Sequence, residues 1–358
     1  MVATKKVGIL GATGTVGQRF ILLLADHPIF TIHALGASSR SAGKSYKDAT
    51  KWKQSKPIPE NVENMIVNEC KSASFAECDV VFSGLDADVA GDIEMEFLKA
   101  NLVVFSNAKN YRREPTVPLI VPTANSSHFD LIPHQRKIYG QDKGFLITNA
   151  NCSTTGLVVP LKALQDAFGP LSHIIVHTQQ AISGAGYPGV PSLDILDNVV
   201  PYISGEEEKI EWETGKILGA VNSDATGFDH LENTVVSATC TRVPVIDGHL
   251  ESASIKFANQ PAPSVEEIEK VLAAYTTEPQ QLGCHSAPER AIIVNSLPDR
   301  PQPRLDRDLE KGQAVTVGRV RKCPVFDIKF TLLIHNTVLG AAGSSVLNAE
   351  IAVAKGLI

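Results

Sequence analysis

The 358-residue sequence predicts an α/β protein: an N-terminal Rossmann-type doubly wound parallel sheet, then an α+β domain built on a large mixed sheet. Three observations carry this expectation. Short apolar runs alternate with helical patterns as far as residue 150, which is how parallel βαβ units read. Gly11, Gly14 and Gly17 fall between the first apolar run and the first helical one. After Phe168 the pattern changes to long β-type segments with few crossovers, which suits a mixed or antiparallel sheet.

In chain order, Lys6 to Leu10 reads as a buried strand and Gln18 to Ala25 as an apolar helix. Thr31 to Leu35, Val80 to Ser83 and Leu102 to Ser106 read as further strands, with an amphipathic helix from Ala87 to Ala100. Leu119-Ile120-Val121 and Leu146-Ile147 add short strands, and Gly156 to Phe168 is helix-like. Ile174 to Thr178, Thr234 to Val245, Ser252 to Phe257, Ala291 to Asn295, Ala314 to Val320 and Phe326 to Ile334 are the β-type segments of the second half. Ser264 to Tyr275 is a helix with a Ser cap and Glu266 and Glu267 in its first turn. Pro298 to Asp308, rich in Pro, Arg and Asp, reads as an exposed loop. Gly340 to Leu357 is a small-residue helix placed to return to the first domain. The division expected is 1–150 with 336–358 for the first domain and 151–335 for the second.

Composition narrows the class. With 43% hydrophobic and 20% charged residues, the chain is not a disordered one. A net charge of -6 argues against a general nucleic-acid binder. No apolar run reaches membrane-span length and the N-terminus leads straight into a strand, so a soluble, cytoplasmic protein with no membrane partner is expected. Cys70, Cys78, Cys152, Cys240, Cys284 and Cys323 form no Cys-x-x-Cys pair, which predicts six free thiols and no metal site. His173 and His177 sit in a β-type run, about 13 Å apart along a strand, too far to share a metal.

The glycines point to a dinucleotide. A tight turn that lets backbone N–H groups approach a pyrophosphate needs glycine, and Gly11-Ala12-Thr13-Gly14-Thr15-Val16-Gly17 stands in the right strand–turn–helix setting. An NAD site usually carries an acidic residue about 20 positions on. Here none lies between Asp26 and Asp48, and the second strand ends instead in Ser38-Ser39-Arg40. Hydroxyls and a guanidinium suit a 2′-phosphate, so the cofactor predicted is NADP.

Cys152 follows a strand-like run and precedes a helix-like one in Asn149-Ala150-Asn151-Cys152-Ser153-Thr154-Thr155-Gly156. A thiol at a helix N-terminus faces unpaired N–H groups and the positive end of the dipole, which favours thiolate. A cysteine nucleophile with NADP predicts aldehyde oxidation through a thioester. Arg242-Val243-Pro244-Val245-Ile246-Asp247-Gly248-His249 supplies a guanidinium in an apolar strand, which needs an anionic partner. It also supplies a histidine past a tight turn, suited to proton transfer.

These segments, with Ser106-Asn107-Ala108-Lys109-Asn110-Tyr111-Arg112, Val121-Pro122-Thr123-Ala124-Asn125 and Gln180-Ala181-Ile182-Ser183-Gly184-Ala185-Gly186, resemble the aspartate-β-semialdehyde dehydrogenases, most of all the archaeal and fungal branch. The resemblance implies NADPH-dependent reduction of aspartyl-4-phosphate to aspartate semialdehyde and phosphate, in the biosynthesis of threonine, methionine and isoleucine, and of lysine in some organisms. It implies Cys152 as nucleophile, His249 as general acid/base, and Asn151 and Gln180 as acyl-positioning groups. Arg242 would clamp the α-carboxylate, Glu206 the α-ammonium, and Arg112 and Lys209 the phosphate. Arg113 beside Arg112 leaves the phosphate ligand open among Arg112, Arg113 and Lys209. The run Glu206 to Glu208 reads equally as a solvated helix start. The segment Ser223 to His230 lengthens the gap between Lys209 and Arg242 relative to many relatives. Cofactor contacts are implied at Gly11, Thr13, Gly14, Thr15, Val16, Gly17, Ser38, Ser39, Arg40, Ser83, Ser183, Gly184 and Asn336. The likeness also implies a homodimer or homotetramer joined through the mixed sheet. Rival readings are a malonyl-CoA reductase or N-acetylglutamyl-phosphate reductase, which share the chemistry, and a non-catalytic NADP-binding regulator, which would not need Cys152 and His249.

Overall fold

The computed structural model describes residues 4–358. The first sheet holds β1 (Lys5–Leu10), β2 (Phe30–Ala37), β3 (Val67–Glu69), β4 (Val80–Ser83), β5 (Val103–Ser106) and β6 (Phe145–Thr148) in the order β3-β2-β1-β4-β5-β6. Every pairing is parallel. Each residue of β4, β5 and β6 is buried, which explains why they read as unbroken apolar runs rather than alternating ones. The chain winds outward from β1 to β3 and returns to β4, so the crevice beyond the carboxyl ends of β1 and β4 is the switch point where such sheets bind ligands.

The longer helices of this half are α1 (Thr15–Leu24), α4 (Ala87–Lys99) and α5 (Ile132–Tyr139), with single turns at α2 (Tyr46–Ala49) and α3 (Glu60–Glu63). Leu119 to Val121 is not a strand. It makes one isolated bridge, from Leu119 to Thr148. Pro118 and Pro122 flank it and lack the N–H groups a longer ladder needs.

The second sheet is built from β7 (Leu171–Gln180), β10 (Val235–Arg242), β11 (His249–Phe257), β12 (Ile292–Asn295), β13 (Val315–Lys322) and β14 (Ile328–Ile334), in the order β10-β7-β11-β14-β13-β12. The outer pairs are parallel and the inner three pairings antiparallel, a mixed sheet as expected. Helices α6 (Cys152–Phe168), α8 (Glu206–Leu218) and α9 (Val265–Ala274) cover one face. Leu157, Leu161, Ile210 and Ile268 pack there against Ile174, Val176, Ile255 and Leu332. Ser264 caps α9 in a full capping box with Glu267. A two-stranded ribbon, β8 (Ala220–Val221) with β9 (Phe228–Asp229), absorbs the lengthened segment after α8. Single turns α7 (Ser192–Ile195), α10 (Glu278–Gln281) and α11 (Pro303–Asp306) complete this half.

Two expectations need correcting. Pro298 to Asp308 is not simply an exposed loop: Asp306 is 2% exposed and receives the Arg300 guanidinium and the Gln302 N–H. The alternating Arg and Asp are there an internal ion pair. The terminal helix begins as a π-helical turn over Val338–Ala342 and continues as α12 (Gly343–Ala354). Leu339 of that turn belongs to the second domain's core, while Ala342, Val346 and Ala349 join Val7, Phe82 and Phe105 in the first. The chain thus crosses back where the two cores meet.

Candidate active site

Asn151 caps α6, its Oδ1 accepting from the backbone N–H groups of Ser153 at 3.0 Å and Thr154 at 3.1 Å. The helix therefore starts at Cys152, a turn earlier than the apolar pattern shows. At the far end of β7 and β10, Gln180 and Arg242 are register partners. Gly248 takes φ +102° in the turn before β11, a conformation that favours glycine, and delivers His249 as the first residue of that strand.

These elements converge. Cys152 Sγ lies 3.1 Å from His249 Nε2. His249 is fully buried, and its Nδ1 accepts the Ala181 N–H at 3.0 Å. A nitrogen that accepts does not carry the ring proton, so the neutral imidazole holds it on Nε2 and presents it to Sγ. Arg242 is 7% exposed and donates through Nη1 to the Ala181 carbonyl at 2.7 Å. It has no carboxylate within 4 Å among the described residues. Gly184 leaves room between them: a Cβ there would lie 3.1 Å from Arg242 Nη1 and 3.3 Å from His249 Cε1.

Burial, with Glu206 adding to it, pushes the Cys152 thiol up to about 12, while Arg242 and Arg112 pull it down. Burial, with Arg242 adding, pushes His249 down to about 3 against the pull of Glu206. Burial thus opposes the thiolate that the helix N-terminus favours. The helix end, the two arginines and the Nε2–H remain in place to stabilise a thiolate once it forms.

Helix α8 brings the polar wall. Glu206 opens it and is 6% exposed, so it is not a solvated helix start. It accepts from Asn151 Nδ2 and pairs with Lys209 at 2.9 Å. Burial pushes its carboxyl up, but Lys209 and Asn151 together hold it below the usual range. Glu207 and Glu211 accept the Cys240 and Ala238 N–H groups and so close the exposed edge of β10. Arg112, Arg113, Lys109 and Lys209 all line one cavity of about 410 Å³. Within it the Arg112 guanidinium is paired with Glu213 at 2.8 Å, and Arg113 stacks over Trp212 at 4.9 Å. Gln180, 1% exposed, donates to Thr178 Oγ1 at 3.2 Å.

The glycine loop fits a dinucleotide. Gly11 has φ +70°, and a Cβ there would stand 2.6 Å from the Gly84 carbonyl oxygen. A Cβ on Gly17 would stand 2.2 Å from the Gly11 carbonyl oxygen. Gly14 caps α1 without any side-chain bond, which leaves the first-turn N–H groups, from Thr15 and Val16 onward, available to an anion. The Thr13 carbonyl is held by Gln18 Nε2 at 2.9 Å, which fixes the loop's shape. Ser38, Ser39 and Arg40 are exposed directly beyond β2, and Arg40 forms no ion pair among the described residues. That set suits a 2′-phosphate.

Two residues implied as cofactor contacts also have partners within the protein. Ser83 is fully buried, its hydroxyl facing Glu94, whose carboxyl burial pushes up to about 7. Asn336 is 2% exposed and bridges Ser183 Oγ and the Gly248 N–H, both at 2.8 Å. It braces the turn before His249. His177 donates or accepts at Thr241 on the open face of the mixed sheet, away from the thiol. Glu213, Lys216 and the carboxyl of Glu251 were missed. Glu206, Lys209, Glu213 and Lys216 follow helical spacing on one face of α8, a signal present in the sequence but usually that of a solvated stripe.

Comparison with known proteins agrees with this geometry. A family model described as the semialdehyde dehydrogenase NAD binding domain matches residues 6–132, and one described as the semialdehyde dehydrogenase dimerisation domain matches residues 161–339. An aspartate-semialdehyde dehydrogenase of Cryptococcus neoformans is 65% identical, covering 99% of this chain and 98% of the relative. One from the archaeon Methanothermobacter thermautotrophicus is 46% identical, covering 96% and 98%. A crystal structure of the Candida albicans aspartate-semialdehyde dehydrogenase with NADP superposes with TM-score 0.93 at 57% identity, covering 99% of this chain and 100% of that one.

Proposed function

Because the chain belongs to the aspartate-semialdehyde dehydrogenase family, we propose that Cys152 carries the aspartyl group while Arg242, Glu206 and the cations around Lys209 hold its three charged ends. The reaction is the NADPH-dependent reduction of L-aspartyl-4-phosphate to L-aspartate-4-semialdehyde and phosphate, a step toward threonine, methionine and isoleucine. The observation that carries the assignment of roles is Arg242. A buried guanidinium with no protein carboxylate beside it is several kcal/mol out of balance, and a substrate α-carboxylate is the partner it lacks. Glu206, held ionised, takes the ammonium.

Cys152 Sγ attacks the C4 carbonyl, and the phosphate leaves toward the cavity of Arg112, Arg113 and Lys209. Asn151 and Gln180 flank the acyl group. NADPH, when bound, supplies the hydride. Gly11, Gly14 and Gly17 with the N-terminus of α1 would hold its pyrophosphate, Ser38, Ser39 and Arg40 its 2′-phosphate, and Ser183 and Gly184 would contribute to its nicotinamide side. The thiol proton leaves with the phosphate as hydrogen phosphate, and His249 acts through its Nε2–H as a hydrogen-bond donor. It stabilises the thiolate and serves the oxyanion as that forms and collapses. To act as an imidazolium it must release the Ala181 N–H from Nδ1, which ties proton transfer to a small shift of residues 180–185.

The same proposal places the cofactor domain at 1–150 with 336–358 and the catalytic and dimerisation domain at 151–335, supported by α12 sharing the first core. It places a homodimer contact on the open face of the mixed sheet, where Ile175 is 48% and Val235 57% exposed. No described helix is long and apolar enough to cross a membrane. The free thiols suit the reducing cytoplasm, where we locate the enzyme.

The test is NADPH formation from aspartate semialdehyde and NADP⁺ with and without phosphate, run beside reduction of malonyl-CoA. Phosphate-dependent turnover, lost in Cys152→Ser, is expected. Activity with malonyl-CoA alone would overturn the reading.

A further inference from the structure

We propose that Glu213 is a positioning residue whose single carboxylate ties the phosphate-side arginine to the peptide that opens the nucleophile's helix. This rests on reading Arg112 as a phosphate-side group. Glu213 is 2% exposed, so its carboxylate must be fully used. Its Oε1 accepts Arg112 Nη1 at 2.8 Å, and its Oε2 accepts the Asn151 backbone N–H at 2.6 Å. Asn151 is the cap of α6, so that N–H belongs to the Ala150–Asn151 peptide that leads into the helix, one peptide ahead of Cys152. The same asparagine is gripped through its side chain by Glu206, two turns earlier on α8. The thiol's helix is thereby fixed at both ends of one residue by one neighbouring helix.

The arginine is fixed from the same helix. Lys216, 1% exposed and one turn beyond Glu213, donates to the carbonyls of Arg112 at 2.8 Å, Glu114 at 3.0 Å and Val117 at 2.9 Å. Burial pulls its ammonium down to about 7. Three carbonyls and the Phe228 ring at 4.6 Å are nevertheless what a charged –NH3⁺ requires. Arg112 Nη2 goes to the Asn107 carbonyl at 3.0 Å, while its Nε is buried with no protein partner. Glu213 also lines the cavity that takes the phosphate. A carboxylate there weakens anion attraction, so its value lies in alignment and in letting phosphate go.

The sign of the effect follows. Glu213→Gln removes the negative charge that competes for Arg112, so the KM for phosphate stays level or falls. It also breaks the bridge, because both partners are donors and a side-chain amide has one acceptor oxygen for the two, so kcat falls by about tenfold or more. Glu213→Asp keeps the charge but is too short to reach both partners and falls in between. The experiment is phosphate-dependent oxidation of the semialdehyde by Glu213→Gln, Glu213→Asp, Arg112→Ala and the Arg112→Ala/Glu213→Gln double variant, with NADP⁺ affinity as the check on folding. The bridge predicts strongly non-additive losses in kcat for the pair. Additive losses, a kcat within about twofold of the parent, or loss of NADP⁺ binding in both Glu213 variants overturns it, the last because the residue is then merely structural. An unchanged KM for phosphate in Arg112→Ala removes the phosphate role of Arg112 instead, and leaves the kcat coupling to be read on its own.

Discussion

Replacing Gly340 by alanine would place a methyl group against the nucleophile's own backbone. The new Cβ would lie 2.9 Å from Cys152 Cβ and 3.3 Å from Cys152 Cα. Carbon atoms rest about 3.5–4.0 Å apart, so the two segments must separate by roughly 0.6–1 Å. Neither yields easily. The Cys152 side is anchored by the Asn151 cap and Glu213, and the Gly340 side by the π-helical turn at the junction of the two cores. Gly340 lies in the π-helical turn without a positive φ, so alanine gains at most about 1 kcal/mol of helix preference. Overpacking costs about 1–3 kcal/mol, so the net loss of stability is at most about 2 kcal/mol and the protein folds. The activity loss is larger. Moving Sγ by half of that separation can stretch its 3.1 Å contact with His249 to about 3.4–3.6 Å, which weakens it. A misplacement of about 1 Å costs on the order of a hundredfold, so a fall in kcat of roughly ten- to a hundredfold is expected. Steady-state rates, the alkylation rate of Cys152 by iodoacetamide and thermal unfolding measure the three parts. A kcat within about twofold of the parent, with equal or higher melting temperature, would refute the claim that Gly340 sets the position of Cys152.

Arg242→Lys should raise the KM for aspartate semialdehyde about tenfold or more, because an ammonium does not reproduce the guanidinium fork; an unchanged KM removes Arg242 from the carboxylate role. Arg40→Ala should raise the KM for NADP⁺ about tenfold and leave that for NAD⁺ untouched, and equal effects on both would place the 2′-phosphate elsewhere. Glu251, 1% exposed with neither oxygen bonded, is held well above the usual carboxylate range by burial, with Glu206 adding and the Ser153 hydroxyl opposing. Its folded value lies above its unfolded one, so the folded state keeps a proton that the unfolded chain loses, and stability falls as pH rises through that window. Glu251→Gln removes this slope: its melting temperature should gain on the parent's between about pH 5 and pH 8, whereas parallel curves would show Glu251 ionised or solvated.

The parts legible in the sequence were those encoded by neighbours along the chain. Gly11 to Gly17, the Cys152 helix start and the Arg242–His249 segment each carry a strand–turn–helix or strand–turn–strand signature, and local backbone chemistry is enough to read them. The protein partners of Ser83 and Asn336, which are Glu94, Ser183 and Gly248, were not legible, because no local pattern connects them. Leu119 to Val121 was apolar enough for a strand, yet the flanking prolines prevent the ladder. Residues 223–230 were recognised as extra length, but that they form a ribbon beyond α8 depends on pairing.

By itself, then, the sequence determined the two-sheet α/β plan, the dinucleotide loop, the thiol and the likeness to a dehydrogenase family, because each is set by residues within a few positions of one another. The tertiary structure decided how the thiol is held. Glu213 reaches Asn151 across 62 residues and Arg112 across 101, and Gly340 meets Cys152 from the far end of the chain. It also decided the electrostatics of the site, since the burial that pushes Cys152 up and His249 down exists only in the folded chain.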